Sequence, residues 1–527
     1  MFPVMRGFLA ADQLPQLGEG QEMSIAAEKQ LGKRIAREIY RDPDYIDDPL
    51  ISAYVQRIWQ PLLAAARKRG DIAPEQEQLA WTIMVGKDRS INAFALPGGY
   101  FGLHLGLVGA VATRDELASV LAHELVHVSQ RHIARQIDKQ NQQSPWLLGA
   151  MILGALAATK NPQAGSAVLA GSQAVSAQSQ LNFSRDMERE ADRIGFAVLK
   201  EAGLDVRGFT GMFDKLQAAN RINDNGSFPY LRSHPLTTER LGDMQSRLQM
   251  LPPASDSTNE LSSQLGQQAE HALIATRARL LSDSSVGGLR SELIQAALAL
   301  RNPLPPSATP AQKIRQVSQL YGGAVASSRQ RDVAQTLRYA HAAREQLLSI
   351  PFELIALSEY ARAAIELIVI ETALLTSTTE INSAAISALT YLRNTPSLQN
   401  ERPALLAWAQ LAHSGITANA ASLDRTSAID ALQIHVADHP QDAAAWNALS
   451  QLFEAQGQTL RSLRAAAESR VAVYDYGAAL DRLKAAQEWA RVNSDRGGAN
   501  HIEASILDTR TRAVQAMVKE LQNERDK

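Results

Sequence analysis

Apolar and polar positions recur with different periods along this chain, and the changes of period mark its organisation. Residues 21–72 carry apolar residues at helical spacing, broken near residues 42–49, where prolines and aspartates interrupt it. Residues 81–85 and 92–105 alternate or cluster as short strands around the Pro97-Gly98-Gly99 turn. A helix is then predicted over 114–138. Leu117, Val120, Leu121, Leu125 and Val128 recur on one face, and Thr113 with Glu116 forms a capping box at its start. A second helix lies in residues 184–203, with Ile194, Val198 and Leu199 on an apolar face and Gly203 as its stop. Residues 251–267 and 302–312 have the composition of linkers. Beyond about residue 268 the chain is alanine-rich and helical almost throughout.

Two stretches leave alternatives open. Residues 140–180 join an apolar segment to a run rich in Ala, Ser, Gly and Gln. They read either as two small-residue helices packed tightly or as a mobile lid between the two helices just named. Contact of residues 146–158 with a membrane surface is a third option. In the C-terminal half, Trp446, Leu449 and Phe453 match the first helix of a tetratricopeptide unit, with His439-Pro440 at the turn ahead of it. Tyr476-Gly477 followed by Ala479, Leu483 and Ala486 has a second-helix pattern; Tyr321-Gly322 followed by Ala334, Leu337 and Ala340 is a fainter echo. Helix pairs of this type bury their apolar faces by stacking into a curved array with a concave surface. An irregular helical bundle is the alternative.

The chemistry concentrates on the helix over 114–138. His123 and His127 are four apart, so they lie one above the other on a single face and both imidazoles can hold one Zn²⁺. Glu124 stays close enough to take a proton from a metal-bound water. Histidines inside an apolar stripe are costly to bury unless something binds them. A catalytic zinc needs a third protein ligand and an open position for water. Gln130 and Ile133 stand where the long-spacer version of the motif requires glycine and histidine, and His132 misses by one residue and points away from the pair. An acidic residue of the second helix is the expected third ligand. Glu188 and Asp192 are four apart there, so one can coordinate while the other orients a ligand from behind; Glu190 points roughly opposite. His234 sits in Ser-His-Pro, where Pro235 disfavours helix. A loop histidine could take the zinc's open position and hold an enzyme latent, or stabilise an oxyanion; a capping or surface role is the plain alternative. Arg240 reads equally as a substrate or oxyanion partner and as half of an ordinary salt bridge.

These residues carry a family resemblance. His-Glu-Leu-Val-His at 123–127, followed by Glu-Arg-Glu-Ala-Asp at 188–192, resembles the M48 metalloproteases, as do residues 90–108 and 233–241. The resemblance implies one Zn²⁺ held by His123, His127 and Glu188, with Glu124 as the catalytic glutamate, Asp192 as the supporting aspartate and His234 as an inhibitory fourth ligand. It implies a mainly α protein. A flexible leader or signal remnant (1–20) would precede an α+β zincin-like metalloprotease domain with a small sheet (21–250). Linker and connecting helices (251–310) would lead to a tetratricopeptide-like repeat domain (311–527). The C-terminal half resembles the β-barrel assembly-enhancing subgroup of that family, periplasmic enzymes carrying such repeats. That implies quality control of misfolded or stalled outer-membrane β-barrel proteins, with the assembly machinery as partner of the repeats.

Composition narrows the remaining classes. At 527 residues the chain exceeds one comfortable core, so two or more domains are expected. A net charge of −2 with interspersed signs gives neither a nucleic-acid footprint nor a polybasic membrane patch. The absence of cysteine excludes disulfides and thiol catalysis and suits an oxidising compartment. No segment reaches the roughly 20 apolar residues that a spanning helix needs, so peripheral contact is the only membrane association expected. Residues 1–11 hold at most a truncated secretory leader, and periplasmic location rests on the resemblance. Two functions from different classes follow: a zinc endopeptidase acting on polypeptides, and a non-proteolytic chaperone or assembly adaptor with a latent zinc site.

Overall fold

The computed structural model describes residues 23–139, 183–221, 229–251, 258–351, 358–418, 420, 423–493 and 499–525. The expected leader at 1–20 and the alternatives for 140–180 fall outside them. Helix α1 (Ile25–Arg41) is capped by Ser24 and α2 (Pro49–Arg69) by Asp48, each side chain accepting from an amide of the first turn. Pro49 opens α2, where its missing N–H costs nothing, and left-handed Gly70 closes it. Strands β1 (Thr82–Gly86), β2 (Ala93–Leu96) and β3 (Tyr100–His104) form one sheet in the order β1-β3-β2, with β1 parallel and β2 antiparallel to β3. Gly98 and Gly99 turn β2 into β3 at φ +76° and +80°, a region glycine enters without steric cost. β2 therefore ends as a sheet edge.

Helices α3 (Leu105–Ala110) and α4 (Arg114–Ser129) follow directly. α4 is buried on nearly every side, because α2, α6 (Arg185–Glu201), α7 (Gly208–Arg221) and β2 all pack on it. Thr113 accepts from the Glu116 amide as expected, but the Glu116 carboxylate takes the Ala112 amide, so only half of the capping box forms. The helix predicted over 114–138 is two helices. α4 stops at Ser129, Arg131 adopts φ +52°, and α5 (His132–Lys139) starts in a new direction. Short α8 (Pro229–Ser233) and α9 (Thr238–Gln249) complete the sheet-bearing half.

Helix α10 (Thr258–Ser282) begins inside the segment of linker composition and serves as a spine. It packs on α2, α3 and α4, and on α12 (Pro310–Arg329) and α14 (Ser358–Leu375) of the other half. The remaining helices are α11 (Val286–Arg301), α13 (Val333–Leu348), α15 (Thr379–Asn394), α16 (Arg402–Ser414) and α17 (Arg425–Asp438). After them come α18 (Ala443–Ala455), α19 (Thr459–Ala472), α20 (Tyr476–Val492) and α21 (Ala499–Arg525). From α18 to α21 each helix packs on the next. Leu449, Phe453, Ala479, Leu483 and Ala486 are buried there as their spacing requires, and the Trp446 ring nitrogen donates to the Pro440 carbonyl at 3.0 Å. In the fainter echo Ala340 is buried and Ala334 exposed. No helix among the described residues is long and apolar enough to cross a membrane.

One apolar cluster runs from Leu50 of α2 to Ala465 of α19, so the two halves share a core. Each fully buried large aliphatic in it contributes about 1.5–3 kcal/mol. Polar contacts pin the junction. Arg277 of α10 pairs with Asp48 and Glu371, each at 2.7 Å, and Arg57 pairs with Glu401 at 3.1 Å and with Glu270. In the turn between α19 and α20, Tyr474 at φ +59° sets its hydroxyl 2.7 Å from that of Tyr100 on β3. His271 of α10 donates from Nε2 to the Val111 carbonyl at 3.0 Å and accepts at Nδ1 from the Tyr54 hydroxyl at 2.7 Å.

Burial pushes the His271 imidazole down to about 4, below its ordinary 6.5. The unfolded chain therefore takes the proton first, and this contribution to stability, complete above about 6.5, is lost as pH falls towards 4. Replacing His271 with Gln, which retains a donor and an acceptor, is expected to reduce the stability lost between pH 7 and 5 by about 1–2 kcal/mol. Denaturant unfolding of both proteins at the two pH values measures this.

Candidate active site

The site is built where α4 meets α6. Ser184 caps α6 by accepting from the Met187 amide, which starts the helix just ahead of Glu188. Gly195 lets the two helices approach closely: a Cβ there would stand 3.3 Å from the Ala122 carbonyl and the His123 nitrogen. Glu188 and Asp192, one turn apart, then face His123 and His127.

His123, His127, Glu188 and His234 each place a donor atom within 4.8 Å of the others, and all four are buried. Nε2 of His123 lies 3.0 Å from Nε2 of His127 and 3.3 Å from Nδ1 of His234. The Glu188 carboxylate is 3.0 Å from His234 Nδ1 and 3.5 Å from each of the other two imidazoles. Imidazole lone pairs converge in this way around a shared proton or a cation. Three nitrogens and a carboxylate oxygen are the donors that suit Zn²⁺, so the residues fit the ion that the sequence implies.

Behind the donors stand the groups that hold them. Asp192 Oδ1 is 3.0 Å from His123 Nδ1. Arg240 grips Asp192 with two hydrogen bonds of 2.6 and 2.8 Å, reaches Glu188 at 2.7 Å and donates to the Pro235 carbonyl at 2.9 Å. Of the two readings of Arg240, the salt bridge is the one observed. His132 does not point away. Because the helix breaks at Arg131, its Nδ1 comes back to 2.8 Å from Nδ1 of His127, while its Nε2 lies 3.0 Å from Glu190. Glu190 meets His132 rather than the donor cluster. Phe183 stacks on the His127 ring at 3.8 Å. Sequence reasoning gave Phe183 and the His132–Glu190 pair no role; a histidine five residues past a ligand was the signal that could have found the pair.

His234 follows α8, its amide donating to the Tyr230 carbonyl at 2.9 Å and its ring stacking on Tyr230 at 4.5 Å. Its Nε2 stands 3.4 Å from Glu124, neither oxygen of which meets a directed hydrogen bond. Burial drives the Glu124 carboxyl up, against the charges of His234 and His123. Burial also acts on Glu188, but the charges of His234 and His123 outweigh it and hold that carboxyl well below the usual range. Burial keeps His127 well below an ordinary imidazole, and lowers His132 to about 4. In His123 burial is overcome by the Glu188 charge and the Asp192 hydrogen bond, which lift it to about 9.

Residues 49–248, which contain all of these groups, match peptidase family M48. Over 243 residues, 46% of this chain and 48% of the relative, the sequence is 35% identical to a putative beta-barrel assembly-enhancing protease of Vibrio cholerae. It is 33% identical over 250 residues, 46% and 49% of the two chains, to the beta-barrel assembly-enhancing protease of Escherichia coli. Mitochondrial metalloendopeptidase OMA1 of Arabidopsis thaliana is 30% identical over 165 residues, 31% of each chain. The chain spans about half the length of the beta-barrel assembly-enhancing relatives it matches.

A cation that takes His123 would compete with the proton that the Glu188 charge and the Asp192 hydrogen bond favour there. Zn²⁺ affinity is expected to rise about tenfold per pH unit above neutrality and to level off near pH 9. Competition with a chromophoric chelator across that range measures the slope.

Proposed function

We propose that this chain is a zinc-dependent endopeptidase, held latent by His234 in this conformation. The observation that carries the reading is the convergence of His123, His127 and Glu188 beside Glu124, whose oxygens meet no directed hydrogen bond, inside a segment that matches peptidase family M48. His123, His127 and Glu188 hold Zn²⁺, which when bound lowers the pKa of a water and polarises the scissile carbonyl. Glu124 takes the proton of the attacking water and returns it to the leaving amine, a role suited to a carboxyl raised by burial. Asp192 fixes the His123 ring through Nδ1. β2 packs on α4 and, among the described residues, has a strand partner on one side only, so an extended peptide can add to its other edge and lie across the site with little regard for side-chain sequence.

The helical half, residues 311–527 in this division, presents polypeptide clients to the site. Its clients are stalled or misfolded outer-membrane β-barrel proteins in the periplasm, with the assembly machinery as partner; that two bacterial relatives are named beta-barrel assembly-enhancing proteases supports this reading. One observation favours a second reading, that of a non-proteolytic assembly adaptor: His234 is fully buried against Glu188 and Glu124, where a reacting water has to enter. Under the first reading a displacement of α8 withdraws His234 and opens the site.

Cleavage of an unfolded casein separates the two. Glu124→Gln is expected to lower the rate by about 10²–10⁴ with zinc content unchanged, and His234→Ala to raise it above wild type. Equal rates for Glu124→Gln and wild type would remove Glu124 from the chemistry; no cleavage by wild type or by His234→Ala would leave the adaptor.

A further inference from the structure

We infer that His132 and Glu190 act together as positioning residues, fixing the tautomer and ring plane of His127 through an imidazole–imidazole–carboxylate relay. The inference rests on the reading of His127 as a metal ligand.

The argument is a count of hydrogens. His127 directs Nε2 into the donor cluster, 3.0 Å from His123 Nε2, and leaves Nδ1 at its back. That Nδ1 meets His132 Nδ1 at 2.8 Å, so one of the two nitrogens carries the hydrogen and the other accepts it. The far side of His132 decides which. Its Nε2 is 3.0 Å from Glu190 Oε2, and a carboxylate oxygen only accepts. The hydrogen of a neutral His132 therefore sits on Nε2, its Nδ1 is the acceptor, and His127 carries its hydrogen on Nδ1. The opposite assignment would set a bare His132 Nε2 against a carboxylate oxygen at hydrogen-bond distance. Only the first leaves the His127 Nε2 lone pair free to face a cation.

The surroundings suit this role. His132 is fully buried and Phe183 covers the His127 ring, so water has poor access to either nitrogen. Arg135 anchors Glu190 at 2.9 Å. The arrangement parallels that of His123, whose Nδ1 goes to Asp192 and thence to Arg240. Each ligand histidine is thus backed by a carboxylate and an arginine, and His127 reaches its carboxylate through one extra ring. The break at Arg131 makes that possible, and Arg131 is itself tied to the Met23 carbonyl and, at 3.4 Å, to Glu28.

The test is Zn²⁺ affinity of the full chain at pH 7, by chelator competition, beside a melting curve for each variant. His132→Phe, which removes the acceptor, is expected to weaken Zn²⁺ binding by about 10–100-fold with the fold intact. His132→Asn, whose side-chain oxygen can stand near the lost Nδ1, is expected to recover part of that loss. Glu190→Ala, at a half-buried position that tolerates truncation, is expected to weaken binding several-fold, and the visible spectrum of the Co²⁺-loaded variant is expected to shift. Wild-type affinity in His132→Phe overturns the inference; if that variant does not fold, wild-type affinity and an unchanged Co²⁺ spectrum in Glu190→Ala overturn it. His123→Ala serves as the reference. If it too binds Zn²⁺ like wild type, the metal site itself is wrong, whereas if it loses the ion while the relay variants keep it, only the relay fails.

Discussion

Glu188 and Asp192 carry negative charge in a pocket almost without solvent, and that cost organises the structure around them. Removing a carboxylate from water costs several kcal/mol even after the protein relaxes, so each must find a cationic or hydrogen-bonding partner. Arg240 answers Asp192 with a two-pronged contact and touches Glu188 with its remaining nitrogen. For that, α9 has to sit against α6. The imidazoles answer Glu188, which requires α6 to lie close along α4 and places glycine at 195. The Pro235 carbonyl completes the Arg240 fork, and so the loop that carries His234 is drawn to the same point.

Much of this was legible because helical spacing is a strong constraint. A separation of four along α4 and again along α6 set His123 over His127 and Glu188 over Asp192, and the structure brings the two pairs together. The Ser-His-Pro context correctly kept His234 out of a helix. What escaped depends on backbone geometry that has no compositional mark. The helix over 114–138 ends early because Arg131 is left-handed, a conformation usually signalled by glycine or asparagine. With a continuous helix His132 would point away; with the break it returns to His127. Arg240 could not be decided from sequence because an arginine's reach is set by its neighbours, and here three acceptors surround it. The half-formed capping box has a similar origin, since the Ala112 amide competes for Glu116.

The linker composition of residues 251–267 also misled locally. Its Pro, Ser, Asp and Asn content disfavours isolated helices, yet from Thr258 onward these residues are helical. The helix they begin is held by packing further along. Ala269, Leu273 and Ala278 are fully buried, and Arg277 is held between Asp48 and Glu371.

That spine has a mechanical consequence. α10 touches α4 on one side and α12 and α14 on the other, within one continuous apolar cluster. Any force on the helical half would thus pass through interlocked residues to the element bearing the histidine pair. Severing the halves would strip α10 of one of its two beds.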